Sequence, residues 1–232
     1  AAAAPSPDEL RGLRVGLVRE LRDVAVDTAV RACIEGACAR LAELGCELVD
    51  VSLPHLRYGT AAYYVTASAE AATNLARYDG ARYGRRASGT ATLDDLYTHS
   101  RSEGFGTEVK RRILIGTFAL SAGHHEAYYG RATRARARIT ADYERAFTRV
   151  DVLAGPTAPT VAFPLGARLA DPLAMYRTDD FTIPANLAGV PAISVPCGAT
   201  PDGLPIGLQL EAPRLGETRL LRLAAVFERE AA

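Results

Sequence analysis

The amino-acid sequence predicts an α/β fold, a mixed β-sheet flanked by helices. Three observations carry that expectation. Short apolar runs rich in Val, Leu and Ile alternate with longer segments of helical periodicity. Apolar residues make up 48% of the 232 positions, enough to build a sizeable core. Finally, Ile183–Pro213 (IPANLAGVPAISVPCGATPDGLPIGLQLEAP) places two apolar strand-like segments between turns punctuated by Pro and Gly.

Each element follows from local pattern. Leu13–Arg19 is a Val- and Leu-rich run flanked by charge and reads as a buried strand. Val26, Val30, Cys33, Ile34, Ala37, Leu41 and Leu44 then keep helical spacing, with Gly45 where a helix would end. Glu47–Leu53 alternates apolar and polar residues near its end and completes a strand–helix–strand unit, whose strands are most simply parallel. Tyr58–Tyr78 is Ala-rich and reads as helix; Arg82–Thr92 is a polar loop; Leu93–Ser102 is a short helix. Gly106–Arg149 reads as helical with a break near Ser121–Gly123. Within it Ile113–Leu120 carries no charge on any side, which predicts burial against several neighbours. Arg131–Arg149 is charged and expected to face solvent, with Arg138 and Asp142 spaced to pair at i,i+4. Strands are expected at Asp151–Gly155, Ala192–Pro196 and Pro205–Leu210, and a last helix at Glu217–Glu230.

Composition excludes several function classes. With 27 basic and 27 acidic residues the net charge is zero, so no global field draws nucleic acid or an anionic membrane. No apolar run is long enough to span a bilayer. AAAAPSP lacks the features of a signal peptide and reads as a flexible leader or linker over residues 1–10, ahead of one domain over 11–232. Cys33, Cys38, Cys46 and Cys197 form no CxxC pair, which fits reduced thiols in a cytoplasmic protein. His124 and His125 are adjacent and point apart on a helix, so no metal site is expected. Lys110 is the sole lysine, so any lysine base must be Lys110 or lie outside this chain.

Several blocks, in order, resemble one family. They are TAAYYVTASAEAATNLARYDGARYG (60–84), SRSEGFGTEVKRRILIGTFALSAG (100–123), AYYGRA (127–132), DVLAGPTAPT (151–160) and DPLAMYRTDDFTIPANLAGVPAISVPCG (171–198). They are similar to the C-terminal half of the amidase-signature enzymes, and within these to the A-type subunits of the tRNA-dependent glutamine amidotransferases. The resemblance runs from about residue 11 to the end and implies the C-terminal half of an amidase-signature fold. It implies an enzyme that hydrolyses glutamine through a Lys–Ser–Ser triad and an acyl-enzyme, with an oxyanion hole in a Gly/Ser-rich loop. None of those catalytic residues has a match here, and Lys110 falls in a different block. The implied partners are an N-terminal half carrying the triad and amidotransferase subunits of B and C type. Misacylated tRNA would be met only indirectly, and ATP and Mg would be used by a partner subunit rather than this chain.

The resemblance also implies a substrate pocket, in which Tyr63, Arg112 and Asp179 match residues that grip free glutamine. Arg112 would pair with the α-carboxylate and Asp179 would accept from the α-ammonium, meeting across one cavity sized for a zwitterion. The residue types suit that task, because a guanidinium grips a carboxylate bidentately. Read by position alone, Arg112 is equally a structural ion-pair partner, Asp179 an N-cap to a helix over Asp180–Leu187, and Tyr63 a core tyrosine. Arg82, Tyr83, Arg85 and Arg86 form a basic loop that reads as solvated surface or as a phosphate contact. Two other functions stay open at this point: a fragment of another amidase acting on a small amide, and a non-catalytic remnant or binding module pairing with a partner subunit.

Overall fold

The structure, a computed structural model, describes residues 5–22, 24–168 and 171–231. In chain order its elements are β1 (Arg14–Val18), α1 (Arg19–Arg22), α2 (Thr28–Glu43), β2 (Glu47–Val51), α3 (Gly59–Leu75), α4 (Leu93–Gly104), α5 (Thr107–Leu120), α6 (Arg131–Phe147), β3 (Val152–Pro156), α7 (Pro172–Tyr176), α8 (Ile183–Ala188), β4 (Ala192–Ala199), β5 (Pro205–Glu211) and α9 (Glu217–Ala231). The domain expected over 11–232 contains two compact units. One holds the chain up to Thr60 together with Arg136 onward, and the other holds Ala61–Ala135. Residues 1–4 of the expected leader lie outside the described residues; Pro7–Leu10 forms a 3-10 turn, and Leu10 is buried in the core.

The first unit is built on a five-stranded sheet in the order β2-β1-β3-β5-β4. β1 runs parallel to β2 and to β3, while β5 is antiparallel to both β3 and β4, so the sheet is mixed as expected. Gly45 ends α2 at φ 91°, a left-handed conformation that favours glycine. Strand alternation divides the sheet residues between two faces. Val15, Val152, Leu208 and Leu210 pack with Leu41 of α2 and Leu223 and Phe227 of α9. Leu153, Gln209 and Glu211 fall on the opposite face. Gly16 joins them because a Cβ there would come within 2.6 Å of Leu153. α6 helps cover this face through Tyr143.

That packing corrects one expectation for α6. Its inward stripe of Ile139, Asp142, Tyr143 and Ala146 is buried, so only part of the helix is a solvated face. Asp142 does not look outward to Arg138. It accepts from the His55 backbone N–H and lies against the His55 Nδ1, both at 2.9 Å, and also accepts from Arg145 at 2.5 Å. Burial by itself would raise the Asp142 carboxyl, but the His55 and Arg145 donors hold it below the usual carboxylate range.

The second unit contains α4, α5 and most of α3. The expected break after α5 is real: Gly123 has φ 85° and a π-turn over Glu126–Gly130 follows before α6. Arg101 of α4 donates to the carbonyls of Leu75 and Tyr78, which satisfies the C-terminal end of α3. Thr92 and Asp95 make a capping box at the start of α4.

α5 departs from the prediction of burial on every side. Only Gly116 and Ala119 are buried, whereas Leu114 is 70%, Ile115 41% and Phe118 48% exposed. The physical reason is that the buried face of α5 is the narrow one that carries Gly116 and Ala119, where Gly116 meets small residues of α3. A Cβ on Gly116 would lie 1.9 Å from the Ser68 carbonyl oxygen and 2.8 Å from the Ala72 Cβ, so the two helices touch backbone to backbone there. Among the described residues no helix is long and apolar enough to cross a membrane.

Candidate substrate-binding site

The α3–α5 contact places two of the expected site residues together. Gly116 fixes the approach of the helices, and Arg112 lies one turn earlier on α5, as Tyr64 lies one turn before Ser68 on α3. The Arg112 guanidinium accordingly sits 5.5 Å from the centre of the Tyr64 ring, within range of a cation–π contact. The Tyr63 side chain lies close enough to act on the same guanidinium. The rings of Tyr63 and Tyr64 meet edge to face at 5.2 Å. Both tyrosines are half-buried, so Tyr63 is neither a core residue nor a free surface one.

The ion-pair reading of Arg112 is also realised. Its Nε donates to Glu108 Oε1 at 3.0 Å, one turn back on α5. Glu108 Oε2 in turn accepts from Arg111 Nη1 at 2.6 Å. Burial works against the Arg112 charge, yet Glu108 and Tyr63 outweigh it and raise its pKa further. The group is therefore a permanent cation, 31% exposed, held on one edge by a carboxylate. The signal for Glu108 in the sequence is its i,i+4 spacing to Arg112.

Asp179 belongs to the first unit, in a 3-10 turn over Arg177–Asp179. It does not cap the helix that follows, which starts at Ile183 rather than Asp180. The N-cap residue is Thr182, whose backbone N–H and hydroxyl donate to the Asp179 carbonyl at 3.0 and 3.2 Å. The Asp179 carboxylate is exposed, with the Thr178 hydroxyl at 3.5 Å. Its neighbour Asp180 is half-buried and accepts from the Thr60 hydroxyl at 2.5 Å. Of the two aspartates, Asp180 is thus committed to a bond within the fold, and Asp179 presents its carboxylate to solvent.

Other residues raised by the sequence have structural partners. Lys110 donates to the Ser102 carbonyl at 2.9 Å, joining the start of α5 to the last turn of α4. His124 packs on Phe118 with ring centres 4.2 Å apart, and His125 lies near Glu126 at 3.6 Å. In the basic loop, Arg85 pairs with Glu103 at 2.8 Å. The four cysteines are free thiols.

Known proteins share the sequence pattern and fold of this chain. The amidase family profile matches residues 1–221. The chain belongs to the amidase family. It is 49% identical over 222 residues to the glutamyl-tRNA(Gln) amidotransferase A subunit of Caldanaerobacter subterraneus subsp. tengcongensis, covering 96% of this chain and 45% of that protein. It is 54% identical over 222 residues to the protein of the same name from Synechococcus sp., covering 96% and 46%. Among solved structures, the A subunit of the Thermotoga maritima glutamyl-tRNA(Gln) amidotransferase superposes with a TM-score of 0.70 at 34% identity, covering 96% of this chain and 43% of that one. A crystal structure described as an amidase superposes at 0.73 with 23% identity, a likeness of fold. The chain spans somewhat under half the length of these amidase relatives.

Proposed function

We propose that this chain is the substrate-binding half of an ammonia-producing glutaminase, the A-type component of a tRNA-dependent amidotransferase that converts Glu-tRNA(Gln) to Gln-tRNA(Gln), Asp-tRNA(Asn) to Asn-tRNA(Asn), or both. The observation that carries the reading is the Arg112 guanidinium, half-buried, permanently charged and braced by Glu108, Tyr63 and Tyr64. Such a group is suited to the α-carboxylate of an amino acid, and each charge-assisted bond contributes on the order of 1.5–3 kcal/mol. Asp179, exposed where Asp180 is committed, takes the α-ammonium. Tyr63 lines the same substrate through its contact with Arg112. The identity with proteins named for glutamyl-tRNA(Gln) amidotransferase supports the choice of glutamine over a simple amide.

In this reading the working enzyme includes a catalytic half with the Lys–Ser–Ser triad. A serine oxygen attacks the side-chain amide carbon of glutamine, ammonia leaves, and water then releases glutamate from the acyl-enzyme. Subunits of B and C type complete the complex, with ATP and Mg used by a partner and tRNA held mainly by the other subunits. The setting is cytoplasmic. The test is the glutaminase reaction of the complete enzyme carrying Arg112→Lys. Loss of the planar fork is expected to raise KM for glutamine about tenfold while kcat changes by less than about threefold. An unchanged KM would remove Arg112 from the pocket.

A further inference from the structure

We propose that Glu108 is a positioning residue for substrate recognition: by holding Nε of Arg112, it directs the terminal amino groups of that guanidinium toward the incoming α-carboxylate. The inference rests on the assignment of Arg112 to the α-carboxylate and deepens it. A guanidinium has five N–H donors in a rigid plane, so fixing one edge fixes where the others point. Glu108 Oε1 accepts from Nε at 3.0 Å, and both residues stand on α5, whose backbone is locked against α3 at Gly116. The Tyr64 ring lies against the same group, its centre 5.5 Å from the guanidinium carbon. Long side chains lose rotamer freedom on binding, and a guanidinium already held in place avoids that loss.

Arg111 is part of the device. Because Glu108 Oε2 accepts from Arg111 at 2.6 Å, one carboxylate is set between two guanidiniums. The trio therefore keeps an excess positive charge, where an isolated Arg112–Glu108 pair would be neutral. A substrate carboxylate meets a cation that is oriented without being neutralised.

The test separates orientation from charge in the complete enzyme. Glu108→Gln keeps an acceptor at Oε1 and removes the negative charge, and Glu108→Ala removes both. KM is measured for glutamine and for 4-aminobutanamide, which is glutamine without its α-carboxylate. The alanine variant is expected to show a KM for glutamine about fivefold above that of the glutamine variant, with the two variants alike on 4-aminobutanamide. Equal KM values for glutamine in the two variants would overturn the positioning role. So would an equal gap on both substrates, which would mark a general structural defect. Arg112→Lys, measured in parallel, distinguishes the failures: if it raises KM while the Glu108 variants coincide, only the positioning role falls; if it leaves KM unchanged, the carboxylate site itself falls and the role of Glu108 with it.

Discussion

Glu211 shows at the scale of one residue how strand alternation sets chemistry. Its place on β5 turns it to the α6-covered face of the sheet, away from the α2–α9 core. There it accepts from Gln209 Nε2 at 2.6 Å and bonds the buried Tyr143 hydroxyl. Burial pushes its carboxyl up to about 7, and the two donors only partly offset this. The native protein therefore keeps a proton that the unfolded chain releases near 4.5. Its contribution to stability is fully present below about pH 4.5 and is lost as pH rises through about 7, a swing on the order of 3 kcal/mol. Denaturant unfolding of the wild type and Glu211→Gln across that window should show the wild type losing stability relative to the variant as pH rises. Parallel curves would mean that Glu211 ionises normally. Asp142 teaches the complementary lesson. Spacing along α6 suggested a surface pair with Arg138, but the carboxylate lies on the buried stripe and serves the His55 backbone instead. Spacing gives which residues share a helix face; what covers that face is a tertiary fact.

At the scale of elements, the contact between α3 and α5 organises the second unit. Gly116→Ala would drive a methyl group into the Ser68 carbonyl, so the helices would have to separate. We expect a loss of about 2 kcal/mol in stability, visible as a lower Tm, together with a raised KM for glutamine in the complete enzyme because Arg112 shifts with α5. A variant as stable as the wild type would show that the helices are not packed this closely. Most elements were legible in the sequence: the strand–helix–strand start, the parallel pairing of β1 and β2, the break at Gly123 and the last helix all follow from local pattern. Two things were not. The uncharged run Ile113–Leu120 reads like a core helix, since periodicity reports polarity and is silent on how many neighbours surround a helix. The start of α8 fell at Ile183 because Arg177–Asp179 takes a separate 3-10 turn, and an aspartate before an apolar run looks like a cap whether or not it serves as one. Of the candidate residues named from the sequence blocks, Arg112 and Tyr63 are neighbours in the structure, and the geometry adds Glu108 beside Arg112.

For the whole molecule, Leu114, Ile115 and Phe118 form an exposed apolar stripe on α5. The isolated chain is expected to bind a hydrophobic dye, and Leu114→Ser to reduce that binding without lowering Tm; unchanged dye binding would place the sticky surface elsewhere. The isolated chain is also expected to release no ammonia from glutamine, and measurable turnover without a catalytic half would contradict the proposed division of labour. The central claim is that Arg112 and Asp179 each read one charged end of a free amino acid. Its most direct measurement is kcat/KM of the complete enzyme for glutamine against 4-aminobutanamide, which lacks the α-carboxylate, and glutaramic acid, which lacks the α-ammonium. Arg112→Ala should erase the preference over 4-aminobutanamide and leave that over glutaramic acid, and Asp179→Ala should do the reverse. Equal loss of both preferences in both variants, or no loss in either, would contradict the account.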